Sequence, residues 1–566
     1  MSFTTAIQWA VAAMALLSFG LPAIATDYDL VIRNGRVLDG AGNPWIVGDI
    51  AIKDGKLAKI GVVTASADHE IDASGKYVSP GWIDMMDQSG SILREVGLAP
   101  NKVTMGVTTL ISGEAGTPVP AAGIDAYFRR LERQGISVNF GTYYSATQAR
   151  VAVLGCGDAD PTPGQLNRMK SLVAQAMEAG AMGITTALIY PPASYQKKEN
   201  IVELAKVAAA HHGLYASHIR GESAEFLSSV EEAIHIGEKS GAGVEIFHLK
   251  AAYSPNWGRD MQAAIELIDA ARERGVDIAA DLYPYVAGGS GLELTVPTWV
   301  YADGKNKALE RLRDPIVREQ LKEELAAGPT PEWTNMVYAS GGWNNVILAN
   351  SHLEAYRRFH GQSFADIASA LNGDPADIAW DIMLQAQPKR PYAFYFMMSE
   401  ADIETALKAD WTSIGSDAAS SRRLGETDDL GLPHPRSYGT FPRIIAKYVR
   451  EKGLLTLPEA IRKMTSWPAA RMGLMDRGVL REGLSADIVV FDLETIADNA
   501  SWKNPTQPAS GIDYVLVNGE LVLDAGVLTN AKPGKVLRGK GYKARESDVQ
   551  ARPEGNDTFP SPQRCS

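Results

Sequence analysis

The sequence is poor in cysteine and has no excess of positive charge. Only two cysteines occur in 566 residues, too few to staple a chain of this length, so a disulfide-rich scaffold is excluded. Cys565 lies in a polar tail, and we predict that it does not pair with Cys156. Lys and Arg number 55 against 67 Asp and Glu, which gives a net charge of −12. A nucleic-acid partner is therefore not expected, because the phosphate backbone is bound by clustered basic residues.

Apolar residues, in contrast, are plentiful. They make up 45% of the chain against 22% charged residues, which excludes a disordered or collagen-like protein. The length corresponds to several domains, or to one large enzyme domain with accessory parts. Composition therefore leaves two classes of protein, an enzyme and a large binding protein.

The N-terminal segment is uncharged up to Asp27. Residues 6–21 are largely apolar, and Ala23-Ile24-Ala25 fits the small-x-small pattern that precedes signal cleavage. We predict a signal peptide over residues 1–25, cleaved near Ala25/Thr26, and a periplasmic or secreted protein without a stable membrane partner. The segment lacks the usual basic start, so an uncleaved membrane anchor stays open as an alternative.

Two distant segments have the same pattern of β-rich runs around an Asn-Gly pair, at 34–35 and at 518–519. Asn-Gly between such runs is a strong hairpin signal. We predict that residues 26–78 and 476–540 form one small β-sandwich domain from both termini. A large central domain would be inserted between its two parts.

The centre of the chain, residues 79–475, alternates short β-runs with amphipathic helices. Repeated βα units indicate a parallel sheet, and this number of them predicts an α/β fold of the (β/α)8 TIM-type barrel. An insertion over the barrel mouth is predicted at about 288–350, where the alternation stops. Residues 541–566 are predicted to form a disordered tail.

Ionisable residues follow the ends of four predicted strands. They are Glu114, His218, His248 and Asp417. Barrel enzymes place their chemistry at the C-terminal ends of the strands, so these side chains should meet. Two imidazoles and a carboxylate form a catalytic Zn²⁺ site with an open position, and a second carboxylate can accept a proton beside it. An isolated histidine at a strand end is more often structural, but four such coincidences favour a metal site.

Several segments carry a family resemblance that runs over about residues 28–539. They include VSPGWIDMMDQSG at 78–90, GVTTLISGEAG at 106–116, YASHIRGE at 215–222, IGSDAAS at 414–420 and HPRSYGTFPR at 434–443. In these segments the sequence resembles the D-aminoacylase (N-acyl-D-amino-acid deacylase) branch of the metal-dependent amidohydrolases. The resemblance implies zinc held by His218 and His248. It also implies a ligand at Glu114, where many relatives have Cys, and a general base at Asp417.

One departure concerns the His-x-His motif that amidohydrolases usually carry after the first barrel strand. Its two positions read Met86 and Gln88 here. A thioether and an amide are poor Zn²⁺ ligands, so we expect one zinc ion per chain. Asp87, between them, could coordinate or orient a metal, or could be an ordinary loop carboxylate.

The resemblance also implies substrate contacts from Lys250, Arg436, Tyr190, Tyr283 and Ser290. Arg is suited to bidentate binding of a carboxylate. Ser290 is shifted by one residue relative to the family's pocket serine, which weakens its assignment.

The predicted activity is zinc-dependent hydrolysis of a linear amide, an N-acyl-D-amino acid. Within hydrolases, a dipeptidase, a cyclic imide or lactam hydrolase and an N-carbamoyl amidase remain open. An alternative outside the enzymes is a non-catalytic binding protein with an amidohydrolase fold, suggested by the loss of His-x-His. Retention of the four strand-end residues argues against that alternative.

Overall fold

The computed structural model of the protein describes residues 27–425 and 431–544. The predicted signal peptide, residues 1–25, and residues 545–566 of the predicted tail lie outside the described residues.

The described chain forms strands from both termini and from its centre. The strands are β1 Tyr28–Val37, β2 Ile46–Lys53, β3 Lys56–Gly61, β4 Ala67–Asp72, β5 Tyr77–Pro80, β6 Trp82–Asp87, β7 Val107–Ser112, β8 Asn139–Thr142, β9 Tyr144–Ser145, β10 Gly183–Ala187, β11 Leu214–His218, β12 Val244–Ile246, β13 Ile278–Leu282, β14 Gly288–Gly291, β15 Val346–Asn350, β16 Tyr392–Tyr395, β17 Thr412–Ile414, β18 Ile488–Phe491, β19 Ile512–Val517, β20 Glu520–Asp524 and β21 Val527–Leu528.

Helices alternate with the central strands. The α-helices are α1 Gly90–Val96, α2 Pro100–Val103, α3 Ile124–Gln134, α4 Ala146–Leu154, α5 Pro163–Glu178, α6 Lys198–Ala210, α7 Phe226–Ser240, α8 Asp260–Glu273, α9 Lys305–Arg311, α10 Pro315–Ala327, α11 Met336–Ala339, α12 Phe364–Leu371, α13 Pro375–Gln385, α14 Glu400–Lys408, α15 Arg436–Arg443, α16 Leu457–Met464 and α17 Ser466–Met472. A π-helical segment, Ile444–Glu451, continues α15.

The central domain is a barrel of parallel strands. Strands β6, β7 and β8 form one parallel sheet, and β9 to β13 with β17 form another. The two sheets join because β8 and β9 are separated by one residue, and because a parallel bridge connects Asp87 with Ala418, beyond β17. Strands such as β10 and β13 are buried along their whole length, as expected where helices cover a parallel sheet. The predicted (β/α)8 barrel is confirmed.

The small domain is a nine-stranded sheet in the order β21-β20-β19-β18-β5-β1-β2-β3, with β4 beside β1. Its two halves meet where β5 pairs with β18 in antiparallel register. The hairpin predicted at 518–519 joins β19 to β20. The hairpin predicted at 34–35 is wrong, because β1 continues through it with a register shift. Asn34 adopts φ 58° there, so the pair forms a bulge instead.

The insertion between barrel strands β13 and β17 is longer than the sequence indicated. Its antiparallel sheet has the order β14-β16-β15, so it ends beyond β16, past the predicted limit near residue 350. Helices α9 to α13 pack on this sheet around a separate apolar cluster that includes Trp380 and Leu321. The insertion extends past residue 350 because its middle strand, β16, begins more than 40 residues after β15 ends.

A buried ion network ties the first barrel strand to the last. The Lys102 ammonium lies 2.8 Å from Asp84 and 2.9 Å from Asp87, and all three side chains are fully buried. The same ammonium donates to the Ser416 hydroxyl and to the Ala418 carbonyl, both at 2.7 Å. These two residues flank the predicted general base, so the network fixes the backbone on both sides of it.

Cys156 is disulfide-bonded, so the prediction that it stays unpaired is wrong. The other cysteine of the chain, Cys565, lies outside the described residues. Within residues 27–425 and 431–544, no helix combines the length and the apolar character needed to cross a membrane.

Candidate active site and metal centre

A large cavity of about 1550 Å³ opens at the C-terminal ends of the barrel strands. The insertion forms part of its wall, through residues such as Trp333 and Arg390. All nine residues that the sequence nominated line this cavity: Glu114, Tyr190, His218, His248, Lys250, Tyr283, Ser290, Asp417 and Arg436.

Glu114, His218 and His248 form a compact cluster at the bottom of the cavity. Glu114 follows β7 by two residues, His218 is the last residue of β11, and His248 follows β12 by two residues. Glu114 Oε1 lies 2.8 Å from His218 Nδ1 and 3.4 Å from His248 Nε2. One ligand atom from each residue can be chosen so that all three lie within 4.8 Å of one another.

The donor set of this cluster fits a metal ion. It offers two imidazole nitrogens and one carboxylate oxygen, which is a ligand combination of catalytic zinc sites with an open fourth position. Burial acts to raise the pKa of Glu114, but hydrogen bonds and the charges of His218 and His248 outweigh it and hold that pKa well below its usual value. The carboxylate is therefore ionised and available as a ligand.

Glu222 and Lys250 lie behind the two histidines. Glu222 Oε1 is 3.4 Å from His218 Nε2, 3.3 Å from His248 Nδ1 and 2.6 Å from Lys250 Nζ. The carboxylate thus faces the ring nitrogens that point away from Glu114, as outer partners of metal-bound histidines do. Glu222 was not predicted from the sequence as a site residue. It lies in a loop four residues after His218, a spacing that could have drawn attention to it.

The Lys250 ammonium also lies 2.6 Å from His248 Nδ1. Burial and Lys250 act to lower the pKa of His248, yet its hydrogen bonds to Glu114 and Glu222 raise it to about 9. Lys250 therefore contacts His248 of the cluster and forms a buried ion pair with Glu222. It also lines the cavity.

Two of the site residues have backbone conformations that L-residues seldom adopt. His248 has φ 36° and Asp417 has φ 47°. Left-handed backbone at a non-glycine residue costs about 1 kcal/mol or more and is typical of functional sites. His248 follows β12 by two residues and Asp417 follows β17 by three, and both side chains line the cavity.

Asp417 lies beside the cluster and is held by two groups. Its Oδ2 is 2.9 Å from Arg436 Nη2, and its Oδ1 accepts a hydrogen bond of 3.4 Å from Gln88 Nε2. Its backbone N–H donates to the carbonyl of Met86 at 2.8 Å, which ties it to the first barrel strand. The carboxylate is nearly buried but still lines the cavity.

Arg436 lines the cavity and has two N–H groups that no described residue uses. Its guanidinium carbon lies 4.5 Å from the centre of the Tyr283 ring, while Nε and Nη1 are buried without a hydrogen-bond partner among the described residues. His434 accepts from the Arg436 backbone N–H and so shapes the loop around it. Unpartnered guanidinium donors beside a cavity can bind a substrate carboxylate through charge-assisted hydrogen bonds.

Tyr190 and Ser290 line the cavity next to each other. Their hydroxyl groups are 2.8 Å apart, and the Tyr190 ring is close to His218. Burial raises the pKa of Tyr190 far above its usual value, so its hydroxyl stays protonated. Arg390 donates to Ser290 at 3.3 Å but is paired mainly with Glu293.

The two positions of the lost His-x-His motif have different environments. Met86 is buried in an apolar cluster with Ile111 and Tyr143 and does not line the cavity. Gln88 lines the cavity and donates to Glu114 Oε2 at 2.8 Å. Asp87 binds Lys102 and the hydroxyl of Ser89 and does not join the metal cluster, so it is a structural carboxylate.

A parallel barrel with histidines and carboxylates at its strand ends defines the class of metal-dependent barrel hydrolases. Residues 380–523 match the amidohydrolase family. N-acyl-D-glutamate deacylase of Alcaligenes xylosoxydans xylosoxydans is 32% identical over 93% of this chain and 98% of its own length. D-aminoacylase of the same organism is 31% identical over 90% of this chain and 97% of its own length.

Among solved structures, N-acyl-D-glutamate deacylase of Bordetella bronchiseptica is 30% identical, with a TM-score of 0.75 over 90% of this chain and all of that one. That structure holds zinc and a phosphonate inhibitor that mimics the tetrahedral intermediate of its reaction. The chain belongs to the D-aminoacylase branch of the amidohydrolase family.

Proposed function

We propose that this protein hydrolyses N-acyl-D-amino acids to a carboxylate and a free D-amino acid. One arrangement carries the proposal: a cluster of Glu114, His218 and His248 beside Asp417, with the unpartnered donors of Arg436 in the same cavity. The names of its relatives, deacylases of N-acyl-D-glutamate and D-aminoacylase, support the choice of an acylated D-amino acid.

We further propose that one zinc ion per chain is held by Glu114, His218 and His248. The chemistry that zinc supplies at such a site is polarisation of a carbonyl and activation of water. The Asp417 carboxylate accepts a proton at the cavity floor and returns it to the leaving amine. Arg436 holds the substrate carboxylate, and Tyr190, Tyr283 and Ser290 shape the walls around it.

A single metal is supported by the residues at the two lost histidine positions. Met86 packs in the core, and Gln88 offers an amide in place of an imidazole. A solved D-aminoacylase, 29% identical with a TM-score of 0.73, is described as having a binuclear metal centre with one-metal activation and second-metal attenuation. One metal is therefore sufficient for activity in that relative.

Localisation in the periplasm or outside the cell is part of the proposal. It is supported by the apolar N-terminal segment and by the disulfide at Cys156, since disulfides persist in oxidising compartments. Sequencing the N-terminus of the mature protein tests it, and a retained Met1 would argue for an anchor instead.

A panel of matched substrates tests the activity. Acetyl derivatives of the D and L forms of several amino acids should be compared with dipeptides and with cyclic imides. We expect hydrolysis of acyl-D substrates with a free α-carboxylate. Turnover of cyclic imides alone would favour the imide hydrolase, and a zinc-free chain that binds without hydrolysis would favour a binding protein.

Replacing Arg436 by lysine is expected to raise KM by about 10–100-fold, because an ammonium group cannot place its donors where the guanidinium has them. A substrate whose α-carboxylate is converted to a primary amide separates this effect from a general loss of activity. The preference for the acid over the amide should shrink in Arg436→Lys by a similar factor.

Arg274→Lys is a suitable control, since Arg274 forms an ion pair with Glu238 on the surface, with 55% of its side chain exposed. If Arg436→Lys kept the full preference for the acid substrate, another residue would be the carboxylate receptor.

A further inference from the structure

Glu114 uses its two carboxylate oxygens differently. Oε1 faces the two histidines, at 2.8 Å from His218 and 3.4 Å from His248. Oε2 faces away from them and accepts a hydrogen bond of 2.8 Å from Gln88 Nε2. A carboxylate that bridged two metal ions would use the second oxygen for the second metal, and here that oxygen is occupied by an amide.

The same amide nitrogen of Gln88 also reaches Asp417 Oδ1 at 3.4 Å. An amide NH2 group has two protons, so it can serve both carboxylates at once. Without a donor between them, two nearby anions would repel each other. The backbone supports this placement, because Gln88 N–H donates to the Ala418 carbonyl and Asp417 N–H donates to the Met86 carbonyl.

The distances from this nitrogen to the two carboxylates match the separation between neighbouring ligands of one metal ion. Zinc ligands about 2.1 Å from a tetrahedral ion are separated from one another by about 3.4 Å. The distances of 2.8 Å and 3.4 Å from the Gln88 nitrogen to the two carboxylate oxygens fall close to that separation. A carboxylate oxygen at this nitrogen's position would complete a set of three acidic ligands.

We propose that Gln88 is a positioning residue that takes the place of a second metal ion. It holds Glu114 and Asp417 side by side, and it keeps a second zinc from binding. This inference rests on the proposed one-zinc site. As a consequence, this protein is not attenuated by excess zinc, in contrast to the relative described as attenuated by its second metal.

Counting zinc in the wild type and in Gln88→Glu tests the proposal. The substitution keeps the shape of the side chain, removes both donors and adds an oxygen ligand. With a fivefold excess of zinc followed by gel filtration, elemental analysis should give about one zinc per wild-type chain and about two per Gln88→Glu chain. Gln385→Glu, at the exposed end of α13, makes the same change elsewhere and should stay at one.

Steady-state kinetics provide a second test of the role of Gln88. With one equivalent of zinc, Gln88→Ala should keep its metal and lose about 10–100-fold in kcat with little change in KM, since Asp417 loses a charge-assisted partner. Excess zinc should leave the wild-type rate unchanged.

Two zinc ions per wild-type chain, or one per Gln88→Glu chain in excess zinc, would overturn the role assigned to Gln88. If the zinc-loaded wild type hydrolysed no acylated amino acid, the proposed function would fail. The zinc counts would still decide the role of Gln88, because they need no substrate.

Discussion

Asp417→Asn is expected to lower kcat by about 10²–10⁴-fold while the protein keeps its zinc, because an amide cannot accept the proton that general base catalysis requires. Asp417 lies outside the cluster of Glu114, His218 and His248, so metal content should not change. The side chain keeps its volume and can still accept from Gln88, so the fold should also be preserved. Steady-state rates and elemental analysis of the same preparation measure both effects.

A second aspartate controls for the loss of one negative charge. Asp513 forms an ion pair with Lys76 in the small sheet and does not line the cavity, so Asp513→Asn should retain normal turnover. A near-normal rate in Asp417→Asn would mean that another group accepts the proton. Loss of zinc in that variant would mean that Asp417 is a ligand rather than a base.

Lys102→Met is expected to destabilise the protein by about 3–5 kcal/mol, the usual cost of removing one partner from a buried ion pair. Asp84 and Asp87 would remain fully buried without a cation. Burial already raises the pKa of Asp84, while Lys102 acts to lower it, and the substitution removes that compensation. The midpoint of urea unfolding, followed by tryptophan fluorescence, measures the change.

The matched control for this prediction removes the anions together with the cation. Lys102→Met combined with Asp84→Asn and Asp87→Asn leaves no uncompensated charge, so much of the lost stability should return. The triple variant should still show a low kcat, because the contacts from Lys102 to Ser416 and Ala418 that fix the backbone around Asp417 are gone. Equal unfolding midpoints for wild type and Lys102→Met would show that the network contributes little.

Much of the active site could be predicted from the sequence because residues at the C-terminal ends of barrel strands lie close together in space. Each of four residues stands at the end of a short strand or within three residues after it: Glu114, His218, His248 and Asp417. Parallel strands bring such positions to one end of the barrel. The resemblance to the deacylases then implied that Arg436 contacts the substrate. In these cases a local pattern, a strand and the residue after it, carried the information.

Other features depend on contacts between residues far apart in the chain and leave no local pattern. Glu222 looks like any loop glutamate until the fold places it behind both histidines. Lys102 sits in a short helix, where a surface lysine would be expected, yet it is fully buried. The Asn-Gly pair at 34–35 predicted a hairpin because it has the composition of a turn, but β1 pairs with β2 on both sides of it and is only bulged there.

The join between β5 and β18 also has a consequence for the order in which the protein folds. Ile488 is synthesised about 400 residues after Pro80, its partner across the sheet. Synthesis proceeds at about 5–20 residues per second, so β18 is made about 20–80 s after β5, the strand with which it pairs. During that time β5 presents unpaired backbone groups, so the nascent chain is most vulnerable to association through this edge.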